Sequence, residues 1–247
     1  MVLREETGLV RARILRRYKR FLADVALDDG SEAVAHCANT GTMRSCWAPD
    51  DRCLLRVHDD PKRKLKHTLV ACEREGTWVG VDTGVPNRLA FEAASRDLLP
   101  GLPPLRDLRR EVRFGRENSR VDLHGREASG REWFIEVKNT TLKEGPWGTF
   151  PDAVSARGAK HLRELSAMAA EGHGAVILFL IQREDVDRFD AARDIDPAYA
   201  RALDEAVAAG VQALPFQVGL EAQPSRAGIT LRWTALGPRP WNRRDRG

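Results

Sequence analysis

"NSRVD" at 118–122 and "WFIEVKN" at 133–139 are the stretches on which the reading of this 247-residue chain turns. In the second, Trp133, Ile135 and Val137 alternate with Phe134, Glu136 and Lys138, the two-residue period of a β-strand. Glu136 and Lys138 therefore share one face. "NSRVD" also reads as a strand, and a neighbouring strand can bring Asp122 beside them. Two carboxylates on one sheet face are costly to bury without a compensating cation. Such oxygen donors suit a hard divalent ion, Mg²⁺ above all. A surface ion pair between Glu136 and Lys138, worth little energetically, fits the same spacing.

Working outward, "VPNRLAFEAASRDLL" carries Leu89, Ala93 and Leu98 at helical spacing, with Asn87 as a candidate cap. The prolines of "PGLPPL" break it. Strands are predicted over 108–114, 119–124 and 132–138. A loop, "NTTLKEGPWGTFPD", leads to a helix over 153–171 with Leu162, Leu165 and Met168 as its buried stripe. "AVILFLIQ" reads as a buried strand. Asp196 caps a further helix with Pro197 at its first position, and Gly210 closes it. "QALPFQV" and "ITLRWTAL" are two late strands. Helix, three strands, helix, strand is the αβββαβ order of the PD-(D/E)XK nuclease core.

The first 82 residues read differently. Short alternating segments, "LVRARIL", "FLADVAL", "EAVAHCA", "CLLRVH", "LKHTLVAC" and "TWVGVD", are separated by turn signals such as "DDG", which suggests a small β-barrel. Cys37, Cys46, Cys53 and Cys72 all lie here without a CxxC pair. Buried reduced thiols are expected, and a zinc site that includes His36 is the alternative.

Hydrophobic residues make up 42% of the chain, enough for a core, and the net charge of +4 hints at a polyanionic partner. Basic residues cluster at 11–20, at 62–66 and in the C-terminal "PRPWNRRDRG", which reads as a disordered tail. No apolar run reaches the ~20 residues that span a bilayer. The N-terminus lacks a signal-peptide core, so a soluble, cytoplasmic protein is expected.

"RYKRFLADV", "HCANTG", "PKRKL", "WVGVDTGVPNRL", "NSRVD", "EVKNTTL", "FPDAVSARGAKHLREL", "QRED" and "IDPAYARAL" occur in that order. Together they resemble the bacterial and archaeal sugar fermentation stimulation protein family, from about residue 17 to about residue 231. The resemblance implies two domains: an OB-like β-barrel over 1–82 that binds nucleic acid, and a PD-(D/E)XK nuclease-like domain over 83–247. It implies a Mg²⁺ (or Mn²⁺) site with Asp122, Glu136 and the Val137 carbonyl as ligands and Lys138 assisting a water. A glutamate on the first helix often completes such a cluster, which nominates Glu92.

Arg157, Lys160, His161 and Glu164 fall on one helix flank, where the basic members could meet a phosphate backbone. Gln182 could border the same site. On the barrel, Lys62, Arg63 and Lys64, then Arg17, Lys19 and Arg20, are candidate phosphate contacts, with His36 and Asn39 in a polar loop beside them. That loop departs from the family's "HCPNTG" at Ala38, and "RSCWAPDD" replaces a glycine-containing segment after Met43. The reading that follows is a DNA-binding protein with a metal-dependent nuclease site. The alternative is a DNA-binding regulator of sugar (maltose) metabolism that does not cleave.

Overall fold

The 17-residue strand β1 (Val2–Tyr18) joins the two halves of the molecule. The computed structural model describes residues 1–115 and 119–244. Along β1, Ala12 and Ile14 are buried between exposed Arg11 and Arg13, as alternation requires. The second half of β1 pairs with β2 (Leu22–Leu27) and β4 (Arg52–Val57). From there β2 pairs with β3 (Glu32–His36), β3 with β5 (His67–Arg74), and β5 with β4, so the pairings return to their start. Strand β6 (Thr77–Gly80) adds to β5.

Inside this cycle Ile14, Val25, Leu55 and Leu69 pack with Cys37, Cys46, Cys53 and Cys72. Burial pushes the Cys46 thiol up to about 11 and that of Cys53 up to about 12, which keeps both protonated at neutral pH.

The first half of β1 leaves this domain and pairs with β15 (Gly228–Pro238). The sheet then runs on through β14 (Gln212–Ser225), β12 (Gly174–Ile181), β9 (Glu132–Thr140), β8 (Ser119–Arg126) and edge strand β7 (Arg106–Phe114). Helix α1 (Pro86–Ser95) covers one face, where Leu89 and Ala93 meet Ile135, Val137 and Leu178. Helices α2 (Ala156–Ala170) and α3 (Pro197–Ala208) cover the other, where Leu162, Leu165 and Leu203 meet Phe134, Ile177 and Phe179. Covered on both faces, β12 is buried at every position, as its unbroken apolar run predicts.

Asp196 caps α3 as expected, its Oδ1 accepting the Tyr199 N–H at 2.9 Å. Its Oδ2 also accepts the N–H of Ser155, the α2 cap, at 2.7 Å, so one carboxylate fixes the starts of two helices.

Three expectations need correction. Asn87 does not cap α1: the cap position is Val85, and Asn87 lies inside the helix with its amide turned elsewhere. The expected loop after β9 contains a hairpin, β10 (Leu142–Glu144) and β11 (Trp147–Phe150), and β11 pairs in parallel with β13 (Arg188–Ala191). The basic C-terminal run is docked through residue 244. Phe189 donates its N–H to the Pro240 carbonyl at 2.9 Å, and the Arg244 guanidinium reaches Glu144 at 2.7 Å. Residues 245–247 lie outside the described residues. No helix among the described residues is long and apolar enough to cross a membrane.

Candidate functional site

The β8–β9 ladder runs from Arg126↔Glu132 to Leu123↔Ile135 and stops there. One residue further, a side chain takes over: Asp122 Oδ2 accepts the Val137 N–H at 2.7 Å. Asp122 Oδ1 accepts the Asn87 amide at 2.7 Å, which ties the site to the first turn of α1. A residue's N–H and C=O leave a strand on the same edge, so the Val137 carbonyl faces the same opening as Asp122.

A change of face accompanies the opening. Leu123 packs in the α1-side core while Val121, two residues away, packs in the α2-side core. The neighbouring strand turns at the same level: Leu108 packs on the α1 side and Val112 on the α2 side. Between Arg110↔Leu123 and Val112↔Val121, the residue opposite Asp122 is Glu111, held at φ 56°. A non-glycine residue at positive φ is uncommon and absorbs the turn.

Glu136 is 3% exposed, so a surface ion pair is the wrong description of it. Its Oε1 accepts from Lys138 Nζ at 2.6 Å and also from His161 Nδ1. Its Oε2 is buried with no partner among the described residues. Arg157 Nε lies 3.4 Å from His161 Nε2. A guanidinium only donates, so Nε2 is the acceptor and the ring proton sits on Nδ1, facing Glu136.

The two carboxyls titrate apart. Burial, then the charge of Glu136, pushes Asp122 up to about 6, against the Val137 N–H, Lys138 and Asn87. Burial also opposes the charge on Glu136, but the His161 hydrogen bond and Lys138 outweigh it and hold that carboxyl below its usual value. The pair thus carries one firm negative charge and a second that is held reluctantly.

Residues 15–81 match the family described as SfsA N-terminal OB domain, and residues 84–224 match Sugar fermentation stimulation protein RE domain. The chain belongs to the sugar fermentation stimulation protein family. A homologue from Ruegeria pomeroyi is 49% identical over 223 residues, covering 90% of this chain and 96% of its own. One from Rhodospirillum centenum is 48% identical, covering 94% of this chain and 100% of its own. The solved Pyrococcus furiosus SfsA in complex with Ca²⁺ superposes with a TM-score of 0.85 at 28% identity, over 98% of this chain and 99% of that one.

In this member of the family, Asp122, Glu136, Val137 and Lys138 come together. Glu92 does not join them. Its carboxylate pairs with Arg96 at 2.8 Å and lines a small cavity with Leu3, Arg4, Phe91 and Arg110. The α1 residue that touches Asp122 is Asn87, five positions earlier, on another side of the helix.

Gln182 is also elsewhere. It is fully buried, accepts from the Trp233 indole at 3.1 Å and donates to Asn139 at 2.8 Å, and its main-chain carbonyl accepts the Gly80 N–H at 3.0 Å. It therefore joins the two domains.

His161, expected to face a phosphate backbone, is buried against Glu136. It still lines, with Arg157 and Lys160, an open cleft of about 500 Å³ whose other walls are Glu111, Ser119 and Arg120. In the first domain Arg17 is committed to the fold, donating to the carbonyls of Arg20 at 2.9 Å and Asn39 at 2.7 Å. Lys19, Arg20, Lys62, Arg63 and Lys64 are exposed, and His36 is half-buried beside Arg63 and Lys64. Asn39 is buried in the loop held by Arg17, its Oδ1 accepting the Gly41 N–H.

Sequence reasoning missed Asn87, Glu111 and Arg120. Asn87 was visible as a polar residue near a helix start, which is also the signature of a cap. Glu111 carries no turn signal at all. Among the described residues no three His, Cys, Asp or Glu side chains gather into a cage. Any ion held here would keep several waters.

Proposed function

We propose that this protein binds nucleic acid and hydrolyses phosphodiester bonds at a divalent-metal site on its second domain. The observation that carries the proposal is the buried, unpartnered Oε2 of Glu136 beside an Asp122 carboxyl whose acidity is already weakened. A buried carboxylate oxygen without a donor costs free energy unless something cationic meets it. The residues present fit a hard cation. Asp122, Glu136 and the Val137 carbonyl offer oxygen donors, and the small number of ligands suits Mg²⁺ or Mn²⁺, which keep their waters. The Pyrococcus furiosus relative was solved in complex with Ca²⁺, an ion that takes the same class of donor. When bound, the ion supplies a polarised phosphoryl oxygen and a water of lowered pKa.

The chain's own residues do the rest. Asn87 and the Val137 N–H orient Asp122, and His161 orients Glu136 through Nδ1. Lys138 Nζ, now on Glu136, is the group that would orient or deprotonate the attacking water, or offset charge developing on the phosphate. Arg120, Arg157 and Lys160 would position the backbone. In this reading residues 83–247 form a PD-(D/E)XK-type αβββαβ domain. Residues 1–82 form an OB-like barrel, which the closed cycle of pairings supports. DNA is the expected substrate, with Lys19, Arg20, Lys62, Arg63 and Lys64 as its contacts on the barrel.

The deciding experiment incubates the protein with labelled single-stranded, duplex and branched DNA and RNA, in Mg²⁺, Mn²⁺ or EDTA, beside Asp122→Asn and Lys138→Ala. Cleavage that needs the ion and disappears in both variants is the expected result. Binding without cleavage by the intact protein in either ion overturns the hydrolytic role.

A further inference from the structure

A second cleft, of about 360 Å³, lies between the two domains, and its chemistry differs from that of the first. The cleft beside the acidic pair has three cationic walls, Arg120, Arg157 and Lys160, against one carboxylate, Glu111, with Ser119 and His161 between them. The interdomain cleft is walled mainly by amides and hydroxyls, among them Asn39, Asn139, Thr149 and Ser155, with Phe150 and Pro151 as an apolar wall. Its charged groups are one Arg20 and one Asp152. Basic walls suit a sugar–phosphate chain, whereas near-neutral amide and aromatic walls suit a nucleobase.

Four details make it a formed pocket. Arg17 holds the loop that carries Asn39 by donating to the Asn39 carbonyl at 2.7 Å. Asn139 Oδ1 is taken by Gln182 at 2.8 Å, so the amide is oriented with its NH₂ still to be used. Thr149 is 1% exposed, and its hydroxyl has no partner among the described residues. Gly41 approaches so closely that a Cβ there would lie 1.9 Å from the Asp152 carboxylate, so the two domains meet tightly at this wall.

The two clefts are neighbours. Asn139 directly follows Lys138 on β9. At the start of α2, Ser155 lines the interdomain cleft and Arg157 the basic one, two residues apart.

We propose that the interdomain cleft takes one unpaired nucleobase of a strand whose backbone lies in the basic cleft, so that this protein selects single-stranded or frayed nucleic acid over intact duplex. The inference rests on the nucleic-acid reading above and adds the substrate class. In a duplex the partner strand occupies the base edges that Asn39 and Asn139 would read, so only an extruded or unpaired base fits.

The test is fluorescence anisotropy in EDTA with a labelled single-stranded DNA oligonucleotide and a blunt DNA hairpin of the same composition. The wild-type protein is expected to hold the single strand about tenfold more tightly, the usual scale for one stacked and read base. Thr40→Trp, at an exposed rim position, should bring the two probes to within about twofold, leaving hairpin binding and the melting temperature unchanged. Asn139→Ala should remove the preference equally, with a lower melting temperature because the buried Gln182 amide loses an acceptor. Thr149→Val, which replaces the hydroxyl by a methyl, should weaken single-strand binding alone. Equal affinity for both probes in the wild type, or a preference that survives Thr40→Trp, overturns the inference. Cleavage in Mg²⁺ is scored separately. A protein that cleaves without preferring single strands overturns this inference alone, and one that prefers them without cleaving overturns the hydrolytic reading alone.

Discussion

Asp122 accepts the main-chain N–H of Val137 at 2.7 Å, where the backbone ladder between their two strands has already ended. The side chain thus stands in for the missing strand partner. The carboxylate is fixed in the plane of the sheet, at the point where β7 and β8 both change face. That placement brings Asp122 within electrostatic range of Glu136, at the cost of its acidity.

The first prediction follows from that cost. The Asp122 carboxyl moves from 3.8 to about 6 on folding. The folded state therefore holds the proton more tightly, and the stability gained by doing so is present below the unfolded pKa and lost as pH rises through the folded one. Near pH 8, without a divalent ion, the ionised group destabilises the fold by at most about 3 kcal/mol, at 1.36 kcal/mol per pKa unit. Asp122→Asn should raise the melting temperature in EDTA at pH 8 by about 5 °C and have little effect near pH 4. The same variant should lose any stabilisation by added Mg²⁺ or Mn²⁺. Thermal melts at the two pH values, with and without ion, check both.

His161→Ala removes one of the two donors on Glu136 and leaves that carboxylate buried on Lys138 alone. Hydrogen bonds to charged groups contribute about 1.5–3 kcal/mol, so a loss of that order is expected in a denaturant titration at pH 8. A donor-retaining His161→Gln should recover part of it. An unchanged midpoint for the alanine variant would show that His161 does not hold Glu136.

How far the sequence carried the site can be read from individual residues. Glu136 and Lys138 were legible because a strand's period of two is strict, and Asp122 because one neighbouring strand suffices to deliver it. Asp196 and Pro197 marked their helix start with local chemistry. The face change at Glu111 was not legible, since nothing in "RREVRF" distinguishes a residue at positive φ from its neighbours. The burial of His161 was hidden for a related reason. A helix flank bearing Arg157, Lys160 and Glu164 looks solvated until α2 is docked against β9. The β10–β11 hairpin is too short, and too rich in Gly and Pro, to stand out from a loop. The C-terminal run has the composition of a tail and is held by contacts from β10 and β13.

Glu92→Gln should leave both cleavage and metal-induced stabilisation unchanged. The exposed pair that Glu92 makes with Arg96 spans one helical turn, and such pairs contribute about 0.3–0.5 kcal/mol. A large loss of activity in steady-state assays would mean that α1 swings to bring Glu92 inward, and would reinstate it beside Asp122.

Arg120 and Lys64 test the two basic surfaces independently. Arg120 lines the cleft beside the acidic pair, and Lys64 projects from the connection between β4 and β5. If each meets one phosphate, replacement by alanine should weaken binding to all sequences alike. It should also reduce the slope of log K against log salt by about 0.7–0.9. Anisotropy titrations across a salt series measure that slope. A slope unchanged for Lys64→Ala but reduced for Arg120→Ala would confine the contact to the second domain.

Gln182→Ala separates domain docking from chemistry. The substitution strips the Trp233 indole N–H of its acceptor inside a fully buried shell, and frees Asn139 and the Gly80 carbonyl as well. One buried donor left unsatisfied costs about 1–3 kcal/mol, and the cavity adds to it. The melting temperature should therefore fall by about 5–10 °C. The Gln182 side chain bonds to Gly80, Asn139 and Trp233 rather than to Asp122, Glu136 or Lys138, so stabilisation by Mg²⁺ should persist at its wild-type size in the weakened protein. A variant that instead melts normally but no longer responds to the ion would place Gln182 in the metal site after all.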